Sequence, residues 1–172
     1  MEQTGPSLSE DFKEQAVVRI QESMDKIQGC LKELDDTMFW AIPNTNSNGV
    51  AQLLRHLQGN IGQYIISGLG GNPDLRDRPA EFDASTDADR ETITSSFVEV
   101  ARNAQDLIRA VPDSVLLERK RVQGFELSGL GIILHVVEHL SYHTGQIAYL
   151  TKLYRNIDLG FYRDFDLNQK NE

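Results

Sequence analysis

The most informative segment of the chain is residues 129–155, GLGIILHVVEHLSYHTGQIAYLTKLYR. Apolar residues recur in it every three or four positions, which predicts one long helix that starts after Ser128 as its N-cap. The segment also holds three of the chain's four histidines, His135, His139 and His143. Because a step of four residues turns a helix by about 40°, these side chains lie within an arc of about 80°, on the apolar side.

Three further segments show the same periodicity, at about 9–35, 48–67 and 88–110. Helices of similar length can bury their apolar stripes only against one another. The sequence therefore predicts an all-α fold, a four-helix bundle with long crossover loops. Between the last two helices, the alternation in ERKRVQGFELS predicts a short hairpin within residues 113–127.

Residues suited to N-capping precede the other three helices. Ser7 and Glu10 have capping-box spacing before the first helix. The remaining predicted caps are Asn46 or Ser47 for the second helix, and Ser85, Thr86 or Asp87 for the third.

The composition is that of one ordinary globular domain. The chain has 172 residues, of which 40% are hydrophobic and 25% are charged. We expect a single domain over residues 1–172, with a core at about 9–155 and a partly ordered tail at 156–172.

The net charge of −9, from 17 basic and 26 acidic residues, disfavours nucleic acid and anionic membranes as partners. No apolar run approaches the roughly 20 residues that span a bilayer, and the N-terminus lacks a signal-peptide pattern. The single cysteine, Cys30, excludes an intramolecular disulfide and is predicted to be a small buried hydrophobic residue. A cytoplasmic protein is expected.

The histidine spacing predicts a metal site. Buried imidazoles need partners, and a metal ion is an effective one. Two histidines one turn apart can chelate a single ion, and His56 is the remaining histidine that could complete the set. Three histidines would leave one position open for water or substrate. Asn60, Gln52 and Gln63 lie on the same side of the second helix as His56 and form a polar edge.

The residues alone leave two ligand patterns open. His135-Val-Val-Glu138-His139 matches the H-x-x-E-H pattern of a zinc peptidase, with the glutamate as base. His139-Leu-Ser-Tyr142-His143 is an H-x-x-x-H pattern. The chain is short for such a peptidase, and no distal glutamate stands out as a third ligand. A two-metal site would need paired Glu-x-x-His motifs, which we do not find among the histidines.

At His56, and at His139-x-x-x-His143 followed by Thr144-Gly145-Gln146, the sequence resembles the DinB-like superfamily, also called YfiT-like. The segments NSNGVAQLLRHLQGN, GGNPDLRDRPAEF and VVEHLSYHTGQIAYLTKLY look like one branch of it, a subfamily catalogued as a domain of unknown function. The resemblance covers about Leu31 to Tyr154.

This resemblance implies a homodimer of four-helix bundles with one divalent metal, zinc or nickel, held by His56, His139 and His143. Related proteins activate a low-molecular-weight thiol, among them bacillithiol S-transferases and mycothiol-dependent maleylpyruvate isomerase. The function implied is therefore a metal-dependent thiol S-transferase or hydrolase that acts on a small electrophile. The alternatives are a non-enzymatic, metal-stabilised stress or scaffold protein and an H-x-x-E-H zinc peptidase.

Several further residues are candidates for the site. Glu138 and Gln146 are candidate catalytic groups, although Gln146 is better suited to bond a loop backbone or a ligand histidine. The candidates for supporting the ligands or lining the pocket are His135, Asn60 and Tyr142.

Two more sets complete the predictions. In the loop RDRPAEF, Arg76, Arg78 and Glu81 form either a structural ion-pair knot or an anion-binding rim near the metal. Leu134, Val137 and Ala148 form a second apolar face on the last helix, which suggests a dimer interface.

Overall fold

A computed structural model describes residues 5–83 and 88–171, most of which are helical. The elements in chain order are α1 (Leu8–Glu33), α2 (Asp36–Trp40), α3 (Val50–Ile61), a π-helix (Gly62–Leu69), α4 (Arg78–Glu81), α5 (Arg90–Ala110), α6 (Asp113–Leu117), β1 (Arg119–Val122), β2 (Phe125–Ser128) and α7 (Gly129–Arg155).

The four long helices pack side by side around one apolar core. Helix α7 packs against α1 and α3, and α5 packs against the same two helices, so the contacts close into a ring. Each of the four contributes fully buried side chains, for example Ile20, Leu54, Phe97 and Ile132. Within the described residues, no helix combines the length and the hydropathy that a membrane span requires.

Several local predictions are confirmed. Ser7 and Glu10 form a reciprocal capping box at the start of α1. The side chain of Ser128 caps α7 by accepting from the backbone N–H of Gly131, and α7 has the predicted bounds. The hairpin also forms, with β1 and β2 paired antiparallel.

The start of the second long helix differs from the prediction. Its N-cap is Gly49 rather than Asn46 or Ser47. The Ser47 hydroxyl donates to Asn44 Oδ1 and is therefore used within the preceding turn. A β-carbon at Gly49 would collide with the carbonyl of Ala41, so this cap position requires glycine.

The same helix changes its winding after Ile61. The prediction of one α-helix to about residue 67 is wrong, because residues 62–69 form a π-helix. At Gly68, a β-carbon would lie 2.6 Å from the side chain of Val122, so the missing side chain lets the hairpin pack closely. π-helical turns are frequent at functional sites, and this one directly follows the helix that carries His56.

The remaining differences lie in the connections. Helix α5 begins at Arg90 and is capped by Asp89; the predicted caps Ser85, Thr86 and Asp87 lie outside the described residues. The two long loops contain the short helices α2 and α4.

The segment after α7 folds back against α1. Leu159 and Phe161 pack against the core, so apolar packing extends beyond residue 155. Lys26 Nζ lies 2.9 Å from the Tyr162 hydroxyl, to which it donates.

Candidate metal centre

Three histidines from two helices meet at one point. His56 comes from α3, and His139 and His143 come from successive turns of α7. Each offers a ring nitrogen, and these three nitrogens lie within 4.8 Å of one another. His56 Nε2 and His139 Nε2 lie 2.8 Å apart. His56 and His143 are buried, whereas His139 is half-buried.

The second ring nitrogen of His56 is held by a carboxylate. Nδ1 lies 2.8 Å from Glu81 Oε2. Arg76 Nη2, which can only donate, lies 3.3 Å from the same nitrogen, but the carboxylate is closer and only accepts, so Nδ1 carries the proton and Nε2 keeps its lone pair. That lone pair points towards His139, inside the cluster.

His143 is held in the same way by an amide. Its Nδ1 lies 2.7 Å from Gln146 Oε1, which can only accept, so His143 Nδ1–H donates. Gln146 reaches the ring because residues three apart lie on the same face of a helix. The lone pair of His143 therefore resides on Nε2. Two of the three imidazoles thus keep Nε2 free for a cation, each oriented by an oxygen acceptor.

The three histidines of α7 favour the neutral form. Burial lowers the pKa of His139 to about 3, and the neighbouring charges of protonated His143 and His56 would add to this effect. Burial also lowers the pKa of His143, against the opposing effect of the hydrogen bond that His143 donates to Gln146, and burial lowers the pKa of His135. A lowered pKa favours the unprotonated ring, which is the form that binds metals.

Glu81 is buried but remains charged because of its partners. Arg76 Nε lies 2.6 Å from Glu81 Oε1, and Arg76 Nη2 lies 3.0 Å from Oε2, which makes a bidentate pair. The side chains of Arg76 and Glu81 are only 3% and 7% exposed. Burial alone would raise the pKa of Glu81, but the hydrogen bonds from His56 and Arg76 outweigh it and lower that pKa.

A glycine makes room for this carboxylate. A β-carbon at Gly59, on α3 next to the His56 turn, would collide with Glu81 Oε1 and lie 2.9 Å from its Cδ. The Arg76–Glu81 ion pair can therefore pack against α3 only because residue 59 has no side chain.

Residues 74–83, here called the strap, run along α3 and the π-helix and carry this ion pair. Gln52 Nε2 donates to the carbonyl of Phe82 at 2.8 Å. Gln63 bridges the other end, accepting from Arg76 Nη1 and donating to Asp74 Oδ2, each at 2.8 Å. The predicted polar edge thus holds the strap in place.

The structure separates the three strap residues singled out from the sequence. Arg76 and Glu81 form the ion pair, which also contacts a cluster histidine. Arg78 lies instead over the ring of Phe82, 5.2 Å from its centroid.

A second polar layer lies one helical turn away from the cluster. Asn60 follows His56 on α3, His135 precedes His139 on α7, and Asn60 Nδ2 lies 3.4 Å from His135 Nε2. The His135 ring stacks on Tyr64 at 4.1 Å between centroids. Among the residues that the structure describes, Asn60 Oδ1 is a buried oxygen without a hydrogen-bond partner.

The donor set fits one divalent cation. Nitrogens that share a tetrahedral zinc ion lie about 3.3 Å apart, from bond lengths of about 2.0–2.1 Å. The observed separations, from 2.8 Å to at most 4.8 Å, bracket this value, so small rotations of the rings suffice. Three imidazoles suit zinc and nickel alike.

The other residues considered for the site do not belong to the three clustered histidines. Glu138 is exposed, and its charge opposes the lowering of the pKa of His135. Tyr142 is 63% exposed and its ring contacts His143 edge-on, at 5.0 Å between centroids. Cys30 is fully buried in the core, as predicted.

The second apolar face predicted on α7 is only partly exposed to solvent. Leu134 is exposed, whereas Val137 and Ala148 are partly buried against the core.

Sequence reasoning missed two contacts of His56. Its bond to Glu81 joins residues 25 positions apart, and the Phe82 ring lies 5.3 Å from the His56 ring. The Arg76–Glu81 spacing was a usable signal for an ion pair, but no sequence pattern indicated which helix it would touch.

Comparison with known proteins places the chain among proteins without an assigned activity. A family profile described as "Protein of unknown function (DUF1572)" matches residues 7–161. No significant match is found among curated proteins.

Several solved structures share the fold, including one from Enterococcus faecalis and one from Bacillus subtilis. A conserved protein from Enterococcus faecalis is similar with a TM-score of 0.72 and 11% identity, over 87% of this chain and 98% of that one. The DinB-like protein YjoA from Bacillus subtilis is similar with a TM-score of 0.61 and 13% identity, over 81% of this chain and 92% of that one.

Proposed function

The chain belongs to the DUF1572 family of proteins of unknown function, and from that membership and its DinB-like fold we propose a metal-dependent activity. One divalent ion binds to His56, His139 and His143, with zinc or nickel as the best-suited ions. The observation that carries this proposal is that one ring nitrogen from each of the three histidines lies within 4.8 Å of the others, while two of the rings have Nδ1 held by an oxygen acceptor and so keep Nε2 free.

The reaction we propose is the transfer of a small thiol to an electrophile, or the hydrolysis of that electrophile. A bound divalent ion lowers the pKa of a thiol or of water, so that the nucleophile forms near neutral pH. The chain's own residues orient the ligands: Glu81 orients the ring of His56, and Gln146 orients the ring of His143.

Two aromatic side chains support a small, partly apolar substrate. The Phe82 ring lies beside His56, and the exposed Tyr142 ring lies beside His143. Both rings place apolar surface next to a ligand histidine. Gln146 also lies beside His143, but its carbonyl oxygen is occupied by the ring, so we assign it orientation rather than proton transfer.

A second candidate function is a metal-stabilised scaffold without turnover. The observation in its favour is that the cluster joins α3, α7 and, through Glu81, the strap. An ion there would link three segments and contribute to folding stability.

We also propose that the ring of four long helices is a four-helix bundle that forms one domain. We propose further that this domain pairs as a homodimer in the cytoplasm and that its ligands are small molecules.

The geometry does not favour a peptidase built on H-x-x-E-H. Such an enzyme needs His135 as a ligand and Glu138 at the ion. Here His135 faces Asn60 and stacks on Tyr64, while Glu138 is exposed.

The test measures zinc content and thiol conjugation in parallel. We expect the wild-type chain to bind one zinc ion and to conjugate a small thiol to a model electrophile such as monochlorobimane, and His143→Ala to lose both. His135→Ala is the control and should keep its zinc; loss of zinc in His135→Ala alone would instead support the peptidase. Strong thermal stabilisation by zinc without turnover over several thiols would favour the scaffold.

A further inference from the structure

A carboxylate from the strap, outside the four long helices, contacts one ligand histidine of the cluster. His56 Nδ1 contacts Glu81 Oε2 at 2.8 Å, and the other Glu81 oxygen is held by Arg76 Nε at 2.6 Å. His139 has no carboxylate of this kind among the contacts that the structure describes; its Nε2 contacts His56 instead.

We infer that Glu81 is a positioning residue for the metal ion, which sets the tautomer of His56 and couples the strap to occupancy of the cluster. The inference rests on the proposed function, since it assigns the strap a role in metal affinity. Its physical basis is the pair of hydrogen bonds that Glu81 accepts, one from Arg76 and one from His56.

The tautomer follows from the acceptor. In neutral histidine the proton resides on one ring nitrogen, and a bond from that nitrogen to a carboxylate fixes which one. With Nδ1–H bonded to Glu81, only Nε2 can bind a cation, and it already lies in the cluster. Without the carboxylate, the proton could move to Nε2 and block the ligand position.

Arg76 keeps Glu81 in place for this role. Its guanidinium bonds both carboxylate oxygens, and Gln63 accepts from its Nη1. Gly59 leaves the space that the carboxylate occupies. A buried carboxylate that is bonded by both Arg76 and His56 cannot rotate away from His56 at low cost, so the orientation of the ring is fixed before an ion arrives.

The strap is coupled to the ion through the same atoms. An ion on His56 Nε2 makes Nδ1–H a stronger hydrogen-bond donor. The bond to Glu81 then becomes stronger, and the strap that carries Glu81 is held more firmly against α3. The coupling is reciprocal. If metal binding favours the docked strap by a given factor, then the docked strap raises the metal affinity by the same factor.

The experiment compares Glu81→Gln with Glu138→Gln. Both replace a glutamate with its neutral analogue close to the ligands, but Glu138 is exposed. Losing an acceptor behind a ligand histidine lowers metal affinity by roughly 10–100-fold. We expect that loss in zinc competition titrations of Glu81→Gln, and less than about a twofold change in Glu138→Gln. Equal affinity of Glu81→Gln and the wild-type chain would overturn the inference.

A second readout is independent of metal and of the variant. Long-range ¹H–¹⁵N spectra of the metal-free wild-type chain report which nitrogen of His56 carries the proton. We expect Nδ1–H, and Nε2–H would overturn the inference even if Glu81→Gln failed to fold. If the wild-type chain bound no zinc, the proposed function would fail, whereas the tautomer would still decide whether Glu81 orients His56.

Discussion

Replacing Gly59 with alanine places a methyl group where the Glu81 carboxylate lies. The new β-carbon would also lie 3.1 Å from Arg76 Nε. A carboxylate side chain can usually move aside, but this one is held by Arg76 and by His56. The methyl group must therefore displace a buried ion pair or shift the helix away from the strap.

The magnitude follows from two opposing effects. An alanine in a helix is favoured over glycine by about 1 kcal/mol. Overpacking a buried position costs about 1–3 kcal/mol, and disturbing a buried ion pair adds to that cost. We expect Gly59→Ala to lower the free energy of unfolding by about 1–2 kcal/mol net.

Gly62 provides the matched control. It lies three residues further along, with helical backbone angles and no atom within 4 Å of an added β-carbon. Gly62→Ala should be neutral or stabilising by up to about 1 kcal/mol. Urea unfolding of the metal-free variants measures both values. If Gly59→Ala stabilised the chain as much as Gly62→Ala does, the Glu81 carboxylate could not lie against α3 as described.

Two further predictions concern stability. Tyr64→Phe removes the bond from the Tyr64 hydroxyl to Gln123 Oε1, 2.9 Å long, and should cost about 0.5–1.5 kcal/mol in urea unfolding; an unchanged midpoint would refute that contact. Because the pKa of His139 falls to about 3 on folding, the unfolded chain binds more protons below about pH 6.5. The metal-free chain should therefore lose roughly 1.5 kcal/mol in total from His139 as the pH falls from 6.5 to 5, with His135 and His143 adding to the loss, and a flat unfolding profile over that range would contradict it.

Local patterns were sufficient to predict the long helices. The capping box at Ser7 and Glu10, the cap at Ser128 and the stripe on α7 all act within one helical turn or one helix face. The close approach of His139 and His143 follows from the helical repeat in the same way. Such features need no knowledge of how the chain folds back on itself.

Features that depend on tertiary packing were not predictable from one sequence. Within the π-helix, Gly68 lies against Val122 of the hairpin, a contact between residues far apart in the sequence. The cap at Gly49 depends on the carbonyl of Ala41, and the His56–Glu81 bond depends on the path of the strap. In each case the deciding partner is set by the packing of another segment.

Locating a bound ion tests the central claim most directly. Crystals of the wild-type chain grown with zinc and measured at the zinc absorption edge give the ion's position from anomalous scattering. We expect one peak per chain, bonded to Nε2 of His56, His139 and His143, with Glu81 still on His56 Nδ1. A peak that involved His135 and excluded His143, or no peak among the three rings, would contradict the account.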